Sequence, residues 1–456
     1  MSSLGLTEEV AAFLAELRPG QIPEGAAEIV RVGFVDCIAV MIAGWEESVS
    51  RVVRGTLALT CDDAGGSPFT SIANAPTDLA LAYGTAAHAL DYDDTALAGH
   101  PSAVLVPAVL AEASATGADG GEMIAAYVAG YEVWAELVAR DQDPHHQKGW
   151  HPSAVFGPIA AASASAVLRH SSVTEARHAI GIAASMAAGI VGNFGSMMKP
   201  FQLGRAARAG LEATRLAAAG LTASRDALEH EAGFLQAISP RGRVDRTSPA
   251  TLGLDWKILR HGLNVKLYPV CYAMHRSLDA MEDLCAEHRF APGDIAAIEV
   301  ELGDTQAGIL RNHSPTTPLE AKFSIEFGLS AIVVSGCLGM AQLTDGFIKR
   351  SDVRDVMARV GVRPLTEKHP DEPQHSPYDR VSVRLLDGRV YTSPRVVYPV
   401  GHFRRPVASE RLWRKFEECT VSRIGQADAR ALFDRLSRLD EAQSCSALVC
   451  GSDNGK

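Results

Sequence analysis

A mainly α-helical protein, with a large all-α domain and a smaller α+β domain inserted before the C-terminal helices, is what three features of the 456-residue sequence predict. Apolar and alanine residues recur at helical spacing from the N-terminus to about Gly262. Beyond Lys266, strand-like alternation and a hairpin signal replace that pattern. Helical periodicity then returns from about Glu410. The expected boundaries are 1–264 for the helical domain, rejoined by 405–456, and 265–404 for the α+β domain. A hydrophobic content of 47% is enough for two buried cores, and an aromatic share of 6% with abundant alanine lets helices approach closely.

Taken in order, the spacing predicts helices from Leu6 to Leu17, Ala26 to Ala43, Leu79 to Leu90, Gly121 to Ala139, Ala154 to Leu168, Val173 to Ala188 and Arg205 to Leu221. Asp119-Gly-Gly-Glu122 and Ser172-Val-Thr-Glu175 read as capping boxes, in which the first side chain accepts from a free amide and the glutamate reaches back. His145-His146 with Lys148 reads as a solvated polar loop. In the α+β part, Ala297 to Leu302 alternates like a half-buried strand, and Arg380 to Thr392 reads as a hairpin turning at Asp387-Gly388. Helices are expected from Tyr272 to Cys285, around Phe323 to Val334, near Ser351 to Val360 and from Ala427 to Leu439. The end, Ser444 to Lys456, lacks periodicity and reads as frayed.

The formal net charge of −11 excludes nucleic-acid binding by a global basic field, so an anionic ligand requires a locally basic pocket. No positively charged segment followed by an apolar run opens the chain, and no uncharged run has the length of a membrane span. A cytoplasmic protein is therefore expected. The eight cysteines show neither C-x-x-C pairs nor zinc spacing, which suits reduced thiols.

His88-Ala-Leu-Asp-Tyr-Asp-Asp-Thr95, followed by Gly99-His-Pro-Ser102, places chemistry-bearing groups on an alanine- and leucine-rich helix. Continued as a helix, Gly84, His88, Asp91 and Thr95 share one stripe while Asp93 and Asp94 point elsewhere. Such a stripe is costly in a protein interior unless it is paired or faces a cavity. Capping and turn chemistry is the structural alternative. A magnesium–diphosphate site is a weaker one, because D-x-D-D lacks the D-D-x-x-D spacing and no second metal motif follows.

Three further segments carry chemistry: Gly149-Trp-His-Pro-Ser153, Met198-Lys-Pro-Phe-Gln-Leu-Gly-Arg205 and Lys266-Leu-Tyr-Pro-Val-Cys-Tyr-Ala-Met-His275. With the first motif and Ala321-Lys-Phe-Ser-Ile-Glu-Phe327, the sequence resembles the MmgE/PrpD family over nearly its whole length. The known activities of that family include 2-methylcitrate dehydration, cis-aconitate decarboxylation and iminodisuccinate epimerisation. The resemblance implies a homodimer with no organic cofactor and no metal, and an active site between the helical domain and an α+β lid. It assigns the site to Asp91 and Thr95 of the D-[YF]-D-D-T motif, His100 after it, Lys199 of the K-P motif, Lys266 at the start of the lid and His275 beyond. His151 lies in the family's G-[WF]-H segment.

Polycarboxylate substrates call for cations that survive desolvation, and Lys199, Lys266 and Arg205 are the candidates. Those charges also stabilise an enediolate formed beside a carboxylate. Asp91 and His100 are the candidate acid and base, in either order. Two positions depart from the decarboxylating branch of the family: Cys271 stands where that branch has histidine, and Phe327 where it has tyrosine. Both substitutions remove hydrogen-bonding capacity from the substrate pocket. A hydro-lyase is therefore expected, with an epimerase as the alternative and a noncatalytic small-molecule binding protein as the reading from another class.

Overall fold

The computed structural model describes residues 5–57, 59, 69, 75–141, 143–370 and 375–450. The chain divides into two compact units, Met1–Val265 with Ala408–Lys456, and Lys266–Val407. The fold is mainly α, with strand confined to one small sheet among the described residues.

The first unit is helical. Its long elements are α1 (Leu6–Glu16), α2 (Glu24–Gly44), α3 (Ser48–Leu57), α4 (Pro76–His88), α5 (Ser102–Thr116), α6 (Gly120–Ala139), α7 (Pro152–Leu168), α8 (Val173–Met186) and α9 (Met198–Ala218). Short α10 (Phe234–Ile238) and α11 (Lys257–His261) follow. Both capping boxes form: Asp119 accepts from the Glu122 amide and Ser172 from the Glu175 amide. Helix α5 carries no periodic signal because Ala103-Val-Leu-Val-Pro-Ala-Val-Leu-Ala111 is apolar on every face and buried on every face. Its Pro107 costs one backbone bond within a helix that packing stabilises from all sides.

Close helix approach sets the geometry of this unit. A Cβ on Gly84 would lie 2.7 Å from the Gly204 Cα, and one on Gly204 would lie 2.2 Å from the Leu81 carbonyl oxygen. The α4–α9 crossing is thus in backbone contact, which holds the C-terminal end of α4, at His88, beside the N-terminal turn of α9, where Lys199 stands. Gly204→Ala is expected to lower unfolding free energy by about 1–3 kcal/mol, since the closest atom a Cβ would meet is the main-chain oxygen of Leu81, and denaturant titration measures the loss.

In the second unit, β1 (Ile295–Gly303), β2 (Val360–Leu365), β3 (Arg380–Leu385) and β4 (Val390–Thr392) form a sheet in the order β2-β1-β3-β4. β1 and β2 run parallel, with Ile298 opposite Val360; the β1–β3 and β3–β4 pairs are antiparallel. The Asp387-Gly388 turn joins β3 to β4, with Gly388 at φ 88°. Helices α12 (His275–His288), α13 (Asp304–Ile309), α14 (Pro318–Ala321), α15 (Ile325–Ser335), α16 (Asp345–Ile348) and α17 (Ser351–Met357) complete it. Leu278, Met281, Ile298, Val300, Ile332, Val381 and Val383 make its core.

The chain then returns to the first unit as α18 (Ser409–Ile424), α19 (Gln426–Leu436) and α20 (Cys445–Cys450), with α18 packed on α2. Several expectations are corrected. The helix near Ser351 stops at Met357, and Val360 instead opens β2. Tyr272–Met274 is a 3-10 turn leading into α12. His145 is buried against Phe156, their ring centroids 4.9 Å apart, so it is not a solvated loop residue. Cys445–Cys450 is helical with Leu448 buried, whereas a frayed end was expected; residues 451–456 lie outside the described residues.

Candidate active site

Helix α4 ends at His88, which overturns the stripe expected from Gly84 through Thr95. Asp91 takes a left-handed φ of 54°, and Leu97 and Ala98 do the same at 51° and 59°, so the segment folds back as a tight loop. Aspartate tolerates this conformation better than a β-branched residue would. The loop brings His100, immediately before α5, back over the end of α4; the His88 and His100 ring centroids are 4.3 Å apart.

Asp93, expected to point away, lies between the two rings and is fully buried. Its Oδ1 is 2.8 Å from His88 Nδ1 and its Oδ2 is 3.0 Å from His100 Nδ1. His100 Nδ1 is also 3.0 Å from the Asp94 carbonyl oxygen. Both neighbours of that nitrogen are acceptors, so it carries the proton and the lone pair resides on Nε2. Burial pushes the Asp93 carboxyl up, but the charge and hydrogen bonds of His88 and His100 outweigh burial and hold it well below the usual range. Burial lowers His88 to about 4 against the pull of Asp93, and its buried Nε2 has no hydrogen-bond partner among the described residues. The chain is therefore an ionised Asp93 held between two imidazoles that it orients.

Asp94 is equally buried; burial, then Asp36, push its carboxyl well above the ordinary range, with Ser102 opposing and Asp93 adding to the rise. The two neighbouring carboxyls are thus shifted in opposite directions, Asp94 up and the histidine-flanked Asp93 down. Neither Asp93 nor His88 was assigned a role from the sequence. The available signal was their composition within the motif, but the fold-back that joins them to His100 is tertiary.

Lys199, in the first turn of α9, reaches Asp91 at 2.9 Å and lies 5.4 Å from the Phe194 ring centroid. His151 precedes α7, with Nδ1 2.7 Å from Gln202 Oε1 and its ring edge-on to Phe194 at 4.8 Å. Burial, joined by the charges of His88, His100 and Lys199, lowers His151 to about 2 despite the Gln202 bond. Asp91, His100, Lys199 and His151 thus lie in one neighbourhood. Thr95 pairs its backbone with Asn264 through bonds of 2.9 and 3.0 Å. Arg205, a candidate substrate ligand, instead spends its guanidinium on the Met186 and Ala188 carbonyls and straps the end of α8 to α9.

Lys266, Cys271 and His275 belong to the second unit. Lys266 is buried. Cys271 donates its amide to the Lys322 carbonyl, and His275 Nε2 lies 3.3 Å from the Val270 carbonyl, with the Tyr268 ring edge-on to its imidazole. Phe327 is buried and packs on Phe347 at 6.3 Å.

His88, Asp91, Asp93 and His100 offer donor atoms within 4.8 Å of one another, a set able to hold a divalent ion. The Lys199 ammonium already places a positive charge against one of those carboxylates. Among the described residues, no helix is long and apolar enough to cross a membrane.

Because His88 is held near 4 against an ordinary 6.5, its stability contribution is present above pH 6.5 and is lost as pH falls toward 4. His151 acts in the same direction. Unfolding free energy is expected to drop by a few kcal/mol across that window, with a shallower drop in His88→Gln, as read by denaturant titration at each pH.

The helical unit thus places a histidine–aspartate–histidine chain beside a lysine–aspartate pair. The sequence matches the MmgE/PrpD N-terminal domain over residues 8–247 and the MmgE/PrpD C-terminal domain over 268–439, and the chain belongs to the MmgE/PrpD family. It is similar to the cis-aconitate decarboxylase of Homo sapiens, 26% identical over 97% of this chain and 94% of that protein. Against the cis-aconitate decarboxylase of Mus musculus it is 25% identical over 97% of this chain and 92% of the relative. The Aspergillus terreus cis-aconitate decarboxylase is 26% identical, with 98% and 95% covered.

Proposed function

We propose that the protein is a lyase acting beside a carboxylate of a di- or tricarboxylate without an organic cofactor, and specifically a hydro-lyase of the 2-methylcitrate dehydratase kind. The observation that carries this reading is the His100 imidazole, whose Nδ1 faces two acceptors and whose Nε2 therefore holds the lone pair of a base. In this reading His100 Nε2 takes the proton from the carbon beside a substrate carboxylate. Lys199 balances the charge that collects on that carboxylate as the enediolate forms. The adjacent hydroxyl leaves with a proton supplied by an acid, and the electron pair becomes the C=C bond. Lys266, His275 and Thr95 serve the substrate in the same scheme, and a homodimer is the expected assembly.

Decarboxylation is the second reading, favoured by the names of the relatives. Loss of CO2 would break the bond to the departing carboxylate and leave its electron pair on the carbon, which protonated His100 would quench. Cys271 and Phe327 weigh against it, because neither side chain supplies the hydrogen bond of the histidine and tyrosine they replace. Epimerisation shares the first step and returns the proton to the opposite face.

Proton NMR in D2O with 2-methylcitrate, citrate, cis-aconitate and iminodisuccinate separates the three. New vinyl signals from a hydroxy acid, absent in Asp91→Asn and unaffected by chelator, are the expected result. Itaconate-type signals from cis-aconitate would establish the decarboxylase instead, and deuterium at the α-carbon without vinyl product the epimerase. Silence with every substrate would sink the lyase reading.

A further inference from the structure

Helix α18, in the C-terminal segment of the first unit, carries Lys415 into the interior, where it is 4% exposed. Its ammonium donates to the Tyr92 carbonyl oxygen at 2.7 Å and lies 4.1 Å from the centroid of the Tyr92 ring. The same ammonium forms an ion pair with Asp36 of α2, a fully buried carboxylate. One turn further along α18, Glu418 Oε2 lies 3.4 Å from the Tyr92 hydroxyl. The Tyr92 peptide joins Asp91, at its left-handed φ, to Asp93, between the two histidines.

A carbonyl fixed from outside sets the plane of the peptide that follows it, and here that plane holds the Asp93 amide and Cα, from which the side chain reaches the two histidines. A buried ion pair returns little net stability after its desolvation, so stability alone is a weak account of Lys415. Strained residues persist only where their surroundings over-determine them.

We propose that Lys415 is a positioning residue: by holding the Tyr92 carbonyl from α18, it locks the 91–94 loop so that Asp93 orients His100 and Asp91 meets Lys199. The catalytic meaning of this lock rests on the proton-transfer reading above, while the lock itself does not. Asp36 neutralises the buried ammonium, while the ammonium's hydrogen bond goes to the Tyr92 carbonyl.

The test compares wild type, Asp36→Asn/Lys415→Met and Asp36→Asn by 15N NMR of histidine-labelled protein, thermal melting and, on the substrate found above, kcat and KM. The double variant removes both charges and the donor, so no unpaired charge is left buried. It is expected to remain folded, to shift the His88 and His100 imidazole signals and to lose about 10- to 100-fold in kcat with KM within about threefold. Asp36→Asn keeps the donor and is expected to leave those imidazole signals in place, whatever it does to the melting temperature. Unchanged imidazole signals in a folded double variant would overturn the proposal. So would Asp36→Asn moving the His88 and His100 signals from their wild-type positions, and that single variant measured against wild type decides the matter if the double variant does not fold. The NMR readout needs no substrate, so a wild type inactive on every acid would remove the lyase reading and leave the positioning result standing.

Discussion

Replacing Asp93 with asparagine is expected to lower turnover by about 10²- to 10⁴-fold in a protein that remains folded. The carboxylate accepts from His88 on one oxygen and faces His100 on the other. An amide of the same shape has a single acceptor, so its NH2 group must face one of the two imidazoles. If that imidazole is His100, the Nδ1 proton meets a donor and moves to Nε2, and the base is lost. If it is His88, the unfavourable contact is buried with no water to relieve it. Imidazole 15N shifts distinguish the two cases, and kcat on the substrate found by NMR measures the cost. A fall of less than about tenfold would remove Asp93 from any role in orienting the base.

Lys199→Met is expected to reduce kcat/KM by about 10²- to 10³-fold. The ammonium is paired with Asp91 at 2.9 Å in a partly buried setting, where charge is screened less than at the open surface. Methionine keeps the volume of the stem and removes the charge. Lys199→Arg restores the charge with a planar fork in place of a compact point, so only partial recovery is expected. A uniform loss through KM alone would place Lys199 in substrate binding. A loss shared with kcat places it against the charge that develops in the transition state. Steady-state kinetics of the two variants read the split.

Much of this arrangement is legible in the chain, and the failures have physical causes. Helices α1, α2, α6 and α8 show their periodicity because one face of each meets polar surroundings or is marked by a cap. Helices α5 and α7 are both buried along nearly their whole length, which erases the contrast that periodicity needs; α7 is legible through its alanine- and serine-rich spacing, and α5, an unbroken apolar run around Pro107, is not. Between His88 and Thr95 the residue types already signalled chemistry, but their partners depend on where the helix stops. Once α4 ends at His88 and Asp91 turns left-handed, the i, i+4 arithmetic no longer applies. Asp93 then gains the role that the stripe would have given Asp91 and Thr95. Arg205 shows a use the sequence does not reveal: a guanidinium near a candidate site is equally suited to carbonyls, and its Nη2 meets two.

The first unit is discontinuous in sequence, and its last piece, carrying Lys415, is separated from Tyr92 by 323 residues. During synthesis, the residues that form the His88–Asp93–His100 chain leave the ribosome well before α18 exists. Until that helix arrives, Asp36 and the Tyr92 carbonyl lack their contacts with Lys415. The 91–94 loop therefore gains its Lys415 contact only after the whole second unit, Lys266–Val407, has been made. A ribosome that stops early yields a helical body with the right residues and an unset loop.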